Sequence, residues 1–133
     1  MSSPVITVDI NRKAVDAARI MVEHRIGSVV VIEGEKAVGI VTERDLLERV
    51  LAMGKDASTV GVREIMSSPL ITISKDAAIL EAIRKMTHNN IRRLVIMEGD
   101  RLIGLVTEKD ILRAVAVSSL TSFHSLLTIK RKR

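Results

Sequence analysis

The 133-residue chain has no cysteine, tryptophan or tyrosine, one phenylalanine and two prolines. Without cysteine there are no disulfides and no thiolate metal sites, and a reducing compartment is permitted. The lone aromatic, Phe123, offers no platform on which successive nucleobases could stack. No apolar run approaches the ~18 residues of a membrane-spanning helix. The start of the chain also lacks the basic-then-apolar pattern of a secretory signal. These absences point to a cytoplasmic protein that does not enter a membrane. His24, His88 and His124 stand at no metal-ligand spacing, so no metal site is expected and all three read as surface residues. Neither GxxxxGK[ST] nor GxGxxG occurs, and no Ser-His-acid set can be argued. With no residue marked as nucleophile or general base, the chain reads as a non-enzyme.

Charge of one sign is also scarce once the C-terminus is set aside. The formal net charge is +5, of which Lys130, Arg131, Lys132 and Arg133 supply four. The rest holds 17 basic and 16 acidic residues, which is no basic face of the kind that tracks nucleic acid.

What the chain has is a duplication. Shifted by 65 positions, residues 1–50 fall on 66–115 without a gap, and 20 of the 50 pairs are identical. MSSPVIT at Met1 returns as MSSPLIT at Met66, and GIVTERDLL at Gly39 returns as GLVTEKDIL at Gly104. Repeats set the unit of folding. A unit of about 60 residues alone would bury only about 60% of its unfolded surface. The two copies are therefore expected to share a core and to pack about a pseudo-twofold axis, making two related clefts.

Each copy reads β-α-β-β-α. Val5–Val8 and Leu70–Ile73 are short strands after Pro4 and Pro69, which fix an extended entry. Ala14, Ala17, Ala18, Met21 and Val22 form an apolar stripe of helical period, and Ile79, Ala82, Ile83 and Met86 repeat it. Asp9 and Ser74 are the expected caps of these helices. Ser28–Ile32 and Leu94–Met97 are continuous aliphatic runs, the pattern of strands buried on both faces. Gly34 and Gly99 mark hairpin turns into return strands Ala37–Val41 and Leu102–Val106. A second helix is expected over Glu43–Met53 and again from Glu108 to Ser119. The organisation is motif 1 over 1–53, a polar linker with a short helix over 54–65, motif 2 over 66–119 and a basic tail over 120–133. The fold class is mixed α/β (α+β).

The segment that carries chemistry is Gly-aliphatic-Val-Thr-Glu-basic-Asp, at Gly39–Asp45 and Gly104–Asp110, where a strand meets a helix. Thr-x-x-acid at a helix start is a capping box, contributing about 0.5–2 kcal/mol through the cap. The same groups suit a ligand. A helix N-terminus attracts phosphate, and a hydroxyl there can bond a phosphate oxygen. An ionised carboxylate can accept both hydroxyls of a ribose, and glycine lets a ligand or another backbone approach closely. Both readings stay open on residue pattern alone.

The ordered set of these features, occurring twice, resembles a tandem cystathionine β-synthase (CBS) domain pair, or Bateman module, over about residues 1–117. The matching segments are the MSSP-aliphatic-x-Thr entries, the strands IGSVVVI and IRRLVIM, and both G-h-V-T-E-basic-D runs. The resemblance implies two βαββα motifs meeting through their sheets, with clefts that hold adenine nucleotides as regulatory ligands. It places Ile40, Thr42, Asp45, Ile71, Thr72, Arg92, Arg93 and Lys109 in a first cleft. Ile6, Thr7, Gly27, Ser28, Arg44, Leu105, Thr107 and Asp110 go to a second. Asp45 and Asp110 would take ribose hydroxyls, and Thr42 and Thr107 a phosphate or ribose. Because Gly27 and Ser28 stand where the other copy has Arg92 and Arg93, the Asp45 cleft is expected to take the more highly charged ligand.

The resemblance implies a sensor of AMP, ADP or ATP with no required cofactor. It would act as a homodimer or through an unnamed protein partner, with S-adenosylmethionine or NAD as other adenosine-bearing ligands. The alternative is a nucleic-acid-binding accessory that uses the basic tail.

Overall fold

A computed structural model describes residues 5–118. Motif 1 contains β1 (Thr7–Asp9), α1 (Ala14–His24), β2 (Ser28–Glu33), β3 (Lys36–Thr42) and α2 (Glu43–Leu46). A short helix, α3 (Val62–Ile65), lies in the linker. Motif 2 contains β4 (Thr72–Ser74), α4 (Ile79–Asn89), β5 (Arg93–Glu98), β6 (Arg101–Thr107) and α5 (Glu108–Ser118). Each motif has a three-stranded sheet, ordered β1-β2-β3 and β4-β5-β6. In each, the first pair is parallel and the second antiparallel. The registers repeat with the sequence: Thr7 faces Val30 and Thr72 faces Val95, while Ser28 faces Thr42 and Arg93 faces Thr107.

Local chemistry explains the joints. The hairpins turn on Gly34 at φ +65° and Gly99 at φ +60°, the left-handed region that costs glycine little. The first helix of each motif ends on a left-handed residue, Arg25 or Asn90. There the Ile26 N–H donates to the Met21 carbonyl and the Ile91 N–H to that of Met86. The helix starts differ from the expected caps. Asp9 accepts the Asn11 N–H and Ser74 the Asp76 N–H, each closing a turn two residues long. The helices then begin after Lys13 and Ala78. Asp16 reaches back to accept the Lys13 N–H at 3.0 Å, closing the first turn of α1.

The second helix of motif 1 is expected as one α-helix to Met53. It is four residues of α-helix followed by a π-helical segment, Leu47–Leu51. There the Ala52 N–H donates to the Leu47 carbonyl, and the Lys55 N–H to that of Val50, each five residues back. Its twin α5 is a continuous α-helix.

The two motifs do not pool their apolar residues into one cluster. Val8, Ile10, Ala14, Ala17, Met21, Val29, Val31 and Val41 form one core with Val60, Val62 and Ile65 from the linker. Ile73, Ala82, Met86, Leu94 and Ile111 form the other. The seam between motifs is read from alternation. Val29 and Val31 belong to the first core, so Val30 points to the opposite face of β2. Val30 and its twin Val95 are nonetheless fully buried and belong to neither cluster. The other motif must cover them. β2 is therefore buried on both faces, as its continuous valine run predicts. The helical stripes are buried only in part: Ala14, Ala17 and Met21 are inside, while Val22, Ile79 and Ile83 are exposed. Among the described residues no helix is long and apolar enough to cross a membrane.

Candidate functional site

At the start of α2 the capping box is complete. The Thr42 N–H and hydroxyl donate to Asp45 Oδ2 at 2.9 and 3.1 Å, and the Asp45 N–H donates to Thr42 Oγ1 at 3.2 Å. The other carboxylate oxygen is also taken. Ser67 Oγ donates to Asp45 Oδ1 at 3.2 Å, and Arg49 Nη1 lies 3.9 Å from it. Asp45 is 6% exposed.

Ser67 arrives because the MSSP entry of motif 2 pairs antiparallel with β3. The Ile40 N–H donates to the Ser67 carbonyl at 3.1 Å, and the Ser67 N–H to that of Ile40 at 2.8 Å. Gly39 permits the approach: a Cβ there would stand 2.8 Å from Met66 Sδ and 3.0 Å from the Ser67 carbonyl oxygen. Arg49 adds hydrogen bonds to the Ile65 and Met66 carbonyls. The backbone that this glycine admits is therefore the chain's own.

At the start of α5 the box repeats. The Thr107 N–H and hydroxyl donate to Asp110 Oδ2 at 2.8 and 3.0 Å, and the Asp110 N–H donates to Thr107 Oγ1 at 3.2 Å. Burial pushes the Asp110 carboxyl up. The Thr107 N–H and hydroxyl lead the contributions that outweigh it and hold the group below its usual value.

Beside Thr107 a cleft opens between the motifs. Val5, Ile6, Ile26, Gly27 and Ser28 of motif 1 line it with Arg93, Leu105 and Thr107 of motif 2. Its volume is about 140 Å³. That is less than the roughly 300 Å³ of a small ligand site, so a larger ligand must extend through the open side. Five of the eight residues expected in the second cleft meet here: Ile6, Gly27, Ser28, Leu105 and Thr107. Asp110 joins them through Thr107. Thr7 lines a different surface groove with Asp9 and Arg12. Arg44 is exposed and paired with Glu48 at 3.3 Å.

The cations do not divide as the repeat suggests. Arg93, expected on the Asp45 side, lines the Thr107 cleft. A Cβ on Gly27 would meet Arg93 Nη2 at 3.0 Å and Glu43 Oε1 at 2.9 Å, so both side chains converge on that glycine. Arg93 is the sequence twin of Ser28, and its long side chain spans the axis relating the two copies. Arg92 is exposed and lies 3.7 Å from Glu108. Lys109 is exposed.

On the Asp45 side, Ile40 is bridged to Ser67, and Ile71 packs on the second core with its carbonyl accepting the Val95 N–H. The Thr72 carbonyl accepts Lys85 Nζ at 2.7 Å. Sequence reasoning missed Val5, Ile26 and Glu43 at the open cleft. Glu43 stands in both copies of the motif, and that repetition was the available signal. Lys130–Arg133, Phe123 and His124 lie outside the described residues. Among the described residues no three His, Cys, Asp or Glu side chains are grouped to hold a metal, and His24 and His88 are exposed.

The chain is similar to known proteins along most of its length. The sequence model of the CBS domain matches residues 1–52 and 62–117. An uncharacterized protein of Methanopyrus kandleri is 45% identical over 111 residues, 82% of this chain and 57% of that one. A mitochondrial CBS domain-containing protein of Arabidopsis thaliana is 34% identical, covering 75% of this chain and 51% of that one. The chain thus spans little more than half the length of these two relatives. A CBS domain-containing protein of Bacillus subtilis is 34% identical over 96% of this chain and 89% of its own length. Among solved structures, a protein with CBS domains from Burkholderia ambifaria superposes with a TM-score of 0.82 at 30% identity, over 86% of this chain and 85% of that one. CBS domains are in general regulatory, nucleotide-binding and non-catalytic. With both motifs matched and the paired βαββα architecture shared, this chain belongs to the CBS-domain family as a tandem pair.

Proposed function

We propose that this chain is a sensor of adenine nucleotides, with AMP, ADP or ATP seated in the cleft beside Thr107. The observation that carries this reading is the composition of that cleft. Val5, Ile6, Ile26 and Leu105 make an apolar slot from two motifs, suited to a flat base. The Thr107 hydroxyl stands at the N-terminus of the eleven-residue helix α5, where phosphate is attracted. Arg93 supplies a guanidinium on the same wall, which favours phosphate by charge and hydrogen bonding. Asp110 beside them is the acceptor for ribose hydroxyls.

Arg93 is the cation among the residues lining the Thr107 cleft, so we assign the more highly charged ligand to that side. On the Asp45 side both carboxylate oxygens accept protein hydrogen bonds, and a ribose there must displace Ser67. Output passes through self-association or a partner. Exposed aliphatic residues such as Leu47 and Leu51 support such a contact, and a structural neighbour of this fold is a hexameric CBS-CP12 protein.

The test is thermal unfolding with AMP, ADP and ATP, repeated in Arg93→Ala and Asp110→Asn. A ligand at 100 times its dissociation constant adds about 2.7 kcal/mol to stability. Stabilisation of the parent by at least one adenylate, lost or reduced in both variants, is the expected result. No response to any adenylate at millimolar concentration, or responses unchanged in both variants, overturns the assignment. Recovery of unaltered nucleotide after long incubation separates sensing from hydrolysis.

A further inference from the structure

The twin motifs build one corner alike and charge it differently. In both, the first residue of the second helix is tied to the residue before the middle strand. The Glu43 N–H donates to the Gly27 carbonyl at 3.0 Å, and the Glu108 N–H to that of Arg92 at 2.9 Å. In motif 2 the Glu108 carboxylate then has a cation in its own corner, with Arg92 Nε at 3.7 Å. In motif 1 the twin of Arg92 is Gly27, so that position offers Glu43 no charge.

Backbone conformation does not call for this glycine. Among the described residues positive φ falls on Gly34, Gly54 and Gly99, not on Gly27. What Gly27 leaves is room. A Cβ there would stand 2.9 Å from Glu43 Oε1 and 3.0 Å from Arg93 Nη2, both the free ends of flexible side chains. The carboxylate and the guanidinium are therefore no more than about 6 Å apart, close enough for each charge to bias the other. Gly27 and Arg93 both line the cleft beside Thr107, so the gap opens on the cleft wall. Arg93 is half-buried and Glu43 exposed. Water screens such a pair, and its attraction changes an equilibrium by at most about fivefold.

We propose that Glu43 is a positioning residue for the Thr107 cleft. In the empty cleft its carboxylate draws the Arg93 guanidinium to the Gly27 gap, and a ligand phosphate must take the guanidinium from it. The proposal rests on the nucleotide reading of that cleft and adds what sets its charge preference. A ligand that needs a state populated only part of the time binds more weakly by that fraction. Glu43 therefore weakens binding only for ligands that use the guanidinium. A triphosphate meets the competition and a bare nucleoside does not.

The test is titration calorimetry of the full chain with ATP and with adenosine. It compares the parent, Glu43→Gln, Arg93→Ala and the double variant. Glu43→Gln keeps the shape of the side chain and removes its charge. It should tighten ATP about three- to fivefold and leave adenosine unchanged. Arg93→Ala should weaken ATP and abolish the gain from Glu43→Gln. A Glu43 that only supports the start of α2 would lower Tm when neutralised, without tightening a phosphate ligand. A gain that persists without Arg93 means that Glu43 repels phosphate directly, and overturns the proposal. So does ATP binding that is unchanged or weaker in Glu43→Gln. If Arg93→Ala still weakens ATP in that case, the nucleotide reading stands without the proposal. If ATP does not bind the parent, the nucleotide reading fails, and inorganic tripolyphosphate, which needs no base slot, takes its place. Failure of tripolyphosphate to bind, or an affinity unchanged in Glu43→Gln, then overturns the proposal as well.

Discussion

Asp45→Ala tests whether this carboxylate is part of the folded structure before any ligand arrives. The side chain is 6% exposed and accepts the Thr42 N–H, the Thr42 hydroxyl and the Ser67 hydroxyl. Losing the acceptor of the Thr42 N–H, the N3 half of the capping box, costs about 1 kcal/mol. Losing a hydrogen bond from Ser67 to a charged acceptor costs about 1.5 kcal/mol more, at the low end for such bonds. The Arg49 ion pair is long, and Arg49 is 47% exposed, so it adds little. The sum is about 2–3 kcal/mol out of a total of roughly 5–15. For a chain of this size that lowers Tm by about 10 °C.

Urea unfolding of the ligand-free protein measures this directly. The Asp45/Ser67 double-mutant cycle isolates the cross-segment bond, which should couple by about 1 kcal/mol. Loss of less than about 0.5 kcal/mol in Asp45→Ala, or additive effects of Asp45→Ala and Ser67→Ala, would refute the reasoning. The same numbers bear on nucleotide binding. A ligand-induced gain in an Asp45 variant must be measured from that variant's own, lower baseline.

Two further outcomes follow from the same geometry. Gly39→Ala places a Cβ 2.8 Å from Met66 Sδ and 3.0 Å from a backbone oxygen. It should cost about 1–3 kcal/mol by urea unfolding. Met66→Ala should recover part of that loss, because the sulfur yields and the Ser67 carbonyl does not. Asp110 governs part of the acid limb. Its folded value is lowered, so its stabilisation is fully present above the unfolded value near pH 4 and is lost as pH falls through the folded value. Wild type should therefore exceed Asp110→Asn in stability at pH 7, and the difference should shrink steadily below about pH 4. A gap that stays constant from pH 7 to pH 3 contradicts the assignment.

Much was legible in the chain because it depends on neighbours a few residues apart. Aliphatic runs bounded by proline and glycine placed all six strands, and period-3.6 stripes the first helix of each motif, to within a few residues. Gly34 and Gly99 marked the turns, since only a few residue types accept positive φ cheaply. Thr42 and Asp45, and Thr107 and Asp110, are three residues apart at helix starts, so their mutual bonds follow from spacing alone. Asp9 and Ser74 were misread as helix caps because an Asx or serine turn satisfies the same side-chain acceptors two residues on. The π-helical segment after Leu46 carries no period that sets it apart from an α-helix over five residues.

The duplication, the order β-α-β-β-α and the pair of Thr-x-x-Asp boxes were determined by sequence alone, because each is a local or self-similar property. Tertiary structure decided which distant residues meet these boxes. Ser67 meets Asp45 across 22 positions, and Arg93 reaches Gly27 from the other motif. Contacts of that range depend on how the entry of motif 2 lies along β3 and on which way one long side chain reaches toward the other motif. Two motifs of the same local pattern leave both of those choices undetermined until the chain has packed.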